Sequence, residues 1–91
     1  MKIAELLSDE TKWCKGANAK NKDGLAVSIK SPTAVSWCLI GAVRYCYDPT
    51  ERWNITRLLY KALRTKPIAA WNDDVRRTFK DVEALVLKLK I

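Results

Sequence analysis

Apolar residues recur along this chain first at helical spacing, then in alternation, then at helical spacing again. Ile3, Leu6 and Leu7 share one helical face and are followed by the acids Asp9 and Glu10, so a short amphipathic helix is expected over 1–8. From Trp13 the period changes: Trp13, Lys15, Ala17 and Ala19 share one parity, and Leu25, Val27 and Ile29 alternate beyond Asn21-Lys22-Asp23-Gly24. That tetrad suits a type I turn closed by a left-handed glycine, which predicts a β-hairpin with strands near 13–19 and 25–29. Ser31-Pro32 reads as a helix start, with serine as cap and proline at the first helical position. The second helix is expected from Pro32 to about Tyr47, with Val35, Cys38, Leu39, Ala42, Val43 and Cys46 on its core stripe.

Asp48-Pro49-Thr50-Glu51 repeats the capping logic and starts a third helix that runs to about Arg64, before Pro67. Ile55, Leu58, Leu59, Ala62 and Leu63 form its apolar stripe, while Arg52, Arg57, Lys61 and Arg64 mark its polar side. Those bases can lie on phosphates or can simply form a solvated face. The last helix carries Phe79, Val82, Leu85, Val86 and Leu89 at core spacing, with Lys88 and Lys90 where positive charge suits its C-terminal dipole. Either Thr78 caps this helix, three residues before Asp81, or Asn72 caps it six residues earlier. The pattern as a whole predicts an α+β fold: about four helices round one core, with one β-hairpin after the first.

Composition narrows the functional classes. Ninety-one residues make one domain, 1–91, and 48% hydrophobic with 30% charged residues belongs to ordinary globular proteins rather than disordered ones. No apolar run approaches the roughly 20 residues that span a bilayer, and Glu5 interrupts the start where a signal peptide would be apolar, so a cytoplasmic protein without membrane contact is expected. Cys14, Cys38 and Cys46 form no C-x-x-C pair, which argues for reduced thiols over a disulfide framework or a zinc knuckle. The absence of histidine removes the commonest general base and metal ligand, so no enzyme, metal or cofactor is expected. A net charge of +7 favours polyanions, phosphate-bearing ligands or acidic proteins, although no basic block marks a nucleic-acid tail.

The densest chemistry lies in Trp71-Asn72-Asp73-Asp74-Val75-Arg76-Arg77-Thr78. For a nucleotide, Trp71 can stack on the base, Asn72 can pair with its edge, Asp73 can accept ribose hydroxyls, and Arg76 or Arg77 can clamp phosphate through a planar fork. Trp13 offers a second ring and Lys15, with Lys12, Lys20 and Lys22, a basic rim. Trp13, Lys15, Trp71, Asn72, Asp73, Arg76 and Arg77 are therefore the candidate ligand-binding residues. The competing reading is structural: Asn72 or Asp73 caps the helix, Asp73 pairs with Arg77, and Trp71 buries its ring. Asp73 and Asp74 diverge on a helix and resemble neither an acid/base pair nor a metal site.

Trp13-Cys14-Lys15-Gly16-Ala17, Asp23-Gly24, Ser36-Trp37-Cys38-Leu39-Ile40-Gly41-Ala42 and Trp71-Asn72-Asp73 with Arg77-Thr78 and Val82-Glu83-Ala84-Leu85 resemble an uncharacterised family of small bacterial and phage domains. The resemblance covers most of the chain and implies a fold relative without an assigned reaction or ligand. Lys15 stands where that pattern has a glutamine-like residue.

Function is accordingly expected to be non-catalytic binding of an anionic, nucleotide-like small molecule, with the resemblance adding a phage-type role: sequestering a host signal or blocking a host defence complex. The alternative is a basic protein that engages nucleic acid or a nucleoprotein complex. Homo-oligomerisation is left open.

Overall fold

Every helix of useful length starts where a side chain takes up its free amides, and those caps set the architecture. The computed structural model describes residues 1–91: α1 (Ile3–Leu6), a single 3-10 turn (Glu10–Lys12), β1 (Ala19–Lys20), β2 (Ser36–Trp37), α2 (Leu39–Cys46), α3 (Pro49–Ala62), α4 (Ile68–Asp73) and α5 (Phe79–Leu89). Asp48 accepts from the Glu51 amide with Pro49 at the first position of α3. Thr78 caps α5 reciprocally, its hydroxyl accepting from the Asp81 amide while the Asp81 carboxylate accepts from the Thr78 amide. The capping question posed by the last helix is thereby answered in favour of Thr78.

Two expectations shift. The Asn21–Gly24 turn forms, with Gly24 at φ 79° and the Asn21 amide bonded to the Leu25 carbonyl, and Lys20 bridges Ala26. The main antiparallel partner of β1 is nevertheless β2, in the register Ala19↔Trp37 and Lys20↔Ser36. Ser31-Pro32 makes one turn only, and the stretch expected to begin the second helix is spent on this pairing. Val35 is therefore 46% exposed instead of lying on a core stripe. Helix α2 waits until Cys38, whose sulfur accepts from the Gly41 amide as an unusual cap.

The third helix and Trp71-Asn72-Asp73 also depart from the pattern. Arg64 and Thr65 both take left-handed backbone after α3, and the chain restarts at Pro67 as the separate α4. The result is a small α+β domain of five helices and a two-stranded sheet.

Ile3, Leu39, Leu59, Val82 and Val86 are the largest apolar side chains that are fully buried, so each of the longer helices contributes. Gly41 sits so close to the preceding loop that a Cβ there would lie 1.9 Å from the Asn18 carbonyl oxygen. The backbone oxygen of buried Ile91 accepts from the Ile3 amide and the Tyr47 hydroxyl, stitching α1, α2 and α5 together. Helix α3 is attached on one side only: Leu59 is its one fully buried residue, and Leu58, expected inside, is 43% exposed. No helix is long and apolar enough to cross a membrane.

Candidate functional site

The loop that carries Trp13 to Gly16 and the end of α4 do meet, and the meeting point is the side chain of Asn72. Its Oδ1 accepts from the Trp13 indole at 2.8 Å and from the Leu39 amide at 3.0 Å, while Nδ2 donates to the Cys14 carbonyl at 3.1 Å and to Asp73 Oδ1 at 2.9 Å. Asn72 is fully buried and its amide is saturated, so it joins three parts of the chain and has no edge left for a base. Asp73 completes the junction by accepting from the Gly16 amide at 3.0 Å through the same oxygen.

The cations around this junction are partly engaged. Lys15 donates to the Asp74 carbonyl at 2.7 Å and stands 5.4 Å above the Trp13 ring. Arg77 stacks 3.9 Å over Trp71, donates from Nε to the Trp71 carbonyl and lies 3.8 Å from Asp81, not against Asp73. Arg76 is exposed and its guanidinium has no protein partner. Trp13, Lys15, Asn72 and Asp73 thus lie together, but their polar groups turn mostly toward one another. Trp71 is half-buried by the arginine that was to clamp a ligand.

Two open grooves lie elsewhere, along α3. One, of about 530 Å³, opens between α2, α3 and the start of α4. Ile40, Val43 and Ile68 make its floor, and Arg44, Trp53, Thr56 and Tyr60 stand along its walls and rim. Trp53 is 67% exposed and Tyr60 43%. Arg52 is fixed at the edge by donating to the Tyr47 and Arg44 carbonyls, whereas the Arg44 guanidinium is exposed and unpaired. The second groove, about 700 Å³, is lined by Asn54, Arg57, Leu58, Tyr60, Lys61 and Thr65. Neither groove has a carboxylate in its lining.

No group of three or more His, Cys, Asp or Glu side chains is placed to hold a metal ion. Burial pushes all three thiols above their ordinary range, Cys46 up to about 11, which keeps them protonated and poorly nucleophilic at neutral pH. The hydroxyls of Thr56 and Tyr60 have no base beside them in the groove.

Trp53, whose ring suits either a core edge or a stacking platform, and Tyr60 and Arg44 were not among the candidate residues. A signal was present: Trp53, Arg57, Tyr60 and Arg64 recur at helical spacing with no acid among them, a pattern masked by assigning neighbouring Leu58 to the core.

The sequence model of one family matches residues 1–89. The chain belongs to DUF6197, a family of unknown function. The kinship expected from the Trp-Cys and Trp-Asn-Asp motifs, to an uncharacterised domain family, therefore holds. No curated protein and no solved structure matches the chain. Membership in DUF6197 brings no reaction or ligand with it, and the function has to be argued from the grooves.

Proposed function

We propose that this domain is a non-catalytic binding module for an anionic, nucleotide-like ligand, seated in the groove between α2 and α3. The observation that carries the reading is Trp53, an indole left 67% exposed at the rim of an apolar-floored groove beside the unpaired Arg44 guanidinium. An aromatic ring gains about 1–3 kcal/mol by stacking on such a platform. A phosphate gains charge-assisted hydrogen bonds from the planar fork of arginine.

Lys15, Arg76 and Arg77, across the molecule's surface chemistry, add to the positive field that draws an anion in, and the net charge of +7 has the same sign. A stoichiometric binder suits sequestration of a signalling nucleotide, so the phage-type, anti-defence role implied by the sequence resemblance is a use to which the module can be put.

Titration with AMP and with a cyclic dinucleotide, followed by tryptophan fluorescence and calorimetry, tests the proposal. Saturable binding should fall at least tenfold in Trp53→Ala and in Arg44→Ala, with unchanged melting curves. No saturable binding by either ligand counts against the reading. Loss in Trp71→Ala with retention in Trp53→Ala would return the site to the Asn72 junction.

A further inference from the structure

From the second groove along α3 we infer that the natural ligand is single-stranded nucleic acid, running across α3 from one groove to the other. The inference rests on the nucleotide reading above and extends it from one residue of ligand to several.

Tyr60 stands at the border of both grooves, so a ligand that crosses the outer face of α3 from one to the other passes over its ring. Along that face Trp53, Arg57, Tyr60, Lys61 and Arg64 are all exposed. Trp53, Arg57, Tyr60 and Lys61 lie within α3, the last three at four, seven and eight residues from Trp53, which places them on one strip about 12 Å long, and Arg64 follows just beyond the helix end. Glu51, in the first turn, is the only acid of the helix, and it points away from the strip by its helical phase. Arg57, Lys61 and Arg64 are free of carboxylate partners: the one ion pair of the molecule is Arg77 with Asp81.

Rings that alternate with unpaired cations match a chain that itself alternates bases with phosphates. Asn54, Thr56 and Thr65 supply side-chain donors and acceptors for exposed base edges. A duplex conceals its base faces and cannot use Trp53 or Tyr60 as platforms. A lipid surface needs a continuous apolar face, and here cations separate the apolar side chains and Trp53 overhangs a concavity. An unpaired strand uses all of these features together.

Fluorescence anisotropy with labelled octameric oligo-dT and oligo-rU, a matching duplex and AMP as competitor tests this. Either octamer should bind at least tenfold tighter than AMP, and the ratio between the two octamers identifies DNA or RNA as the source. With Arg44, Arg57, Lys61 and Arg64 on four phosphates, the log–log salt slope should be about −3, a loss of roughly fiftyfold between 50 and 200 mM salt. Arg57→Gln with Lys61→Gln should bring the slope to about −1.4, while thermal melting stays at the wild-type temperature. Trp53→Ala should weaken octamer binding at least tenfold.

An octamer that binds no tighter than AMP overturns the inference and leaves the nucleotide site standing. Duplex binding equal to the single strand, or binding to phosphatidylserine vesicles without binding to octamers, also overturns it. Failure of AMP and octamers alike removes both readings.

Discussion

Replacing Asn72 with leucine removes the one side chain that ties the Trp13 loop, the start of α2 and the end of α4 to one another. Three groups lose their partner: the Trp13 indole N–H, the Leu39 amide and the Cys14 carbonyl. A buried polar group without a partner costs about 1–3 kcal/mol, and the Leu39 amide sits beside a residue that is itself fully buried. Water can reach the half-buried Trp13 side of the junction, which favours the lower figure there. Burial of leucine offsets roughly 2 kcal/mol. The expected net loss is about 1–5 kcal/mol, a sizeable part of the 5–15 kcal/mol that typically holds a small domain folded. Urea unfolding followed by circular dichroism measures it. Trp13→Phe removes one of the three partners, so a double-mutant cycle with Asn72→Leu should show a coupling of about 1 kcal/mol or more. A loss under about 1 kcal/mol for Asn72→Leu, or strict additivity with Trp13→Phe, would refute the view that this amide organises the fold.

Two further outcomes follow from the same geometry. Gly41→Ala drives a methyl group into the backbone of Asn18, 1.9 Å from its carbonyl oxygen, and should cost about 3 kcal/mol or more in a thermal melt, whereas near-wild-type stability would mean that α2 can lift off this loop. Because burial raises the folded-state pKa of Cys14, Cys38 and Cys46 above the ordinary 9.0, their contribution to stability is complete below pH 9 and fades as the pH climbs toward the Cys46 value of about 11. Unfolding midpoints measured between those two pH values should fall, and Cys46→Ser should flatten the fall; a flat profile in the wild type contradicts the burial argument.

The parts of the fold that were legible in the sequence are those decided within a few residues. Asp48-Pro49 and Thr78 with Asp81 form caps in the positions that their types announce, because an amide three residues away is always within reach. Gly24 closes its turn for the same local reason. The pairing of Ala19-Lys20 with Ser36-Trp37 joins residues far apart in the chain, and nothing local distinguishes Ser36-Trp37 from the helix that follows. Pairing won over the helical signal at Ser31-Pro32 because it buries Trp37, whose indole also donates to the Ile29 carbonyl. Likewise, spacing gathered Trp13, Asn72 and Asp73 as candidates but could not show that each would satisfy another. Trp53 stayed hidden because periodicity marks an apolar stripe without saying which part of it a neighbour covers. Only the side of α3 toward Leu59 is covered.

The Asn72 junction also bears on how the chain acquires its structure. Its contacts span 33 residues to Leu39 and 59 to Trp13, so none can form until α2, α4 and the Trp13 loop have already been brought together. Such contacts reward folding late, when the entropy of closing the intervening segments has been spent. The Leu39 amide, bonded to a side chain instead of to a helical carbonyl, should therefore exchange its hydrogen with solvent only when the whole domain opens, while the outer turns of α3 exchange through local fraying. One amide at the first residue of a helix thus becomes a reporter of global unfolding, in a position where helices ordinarily fray first.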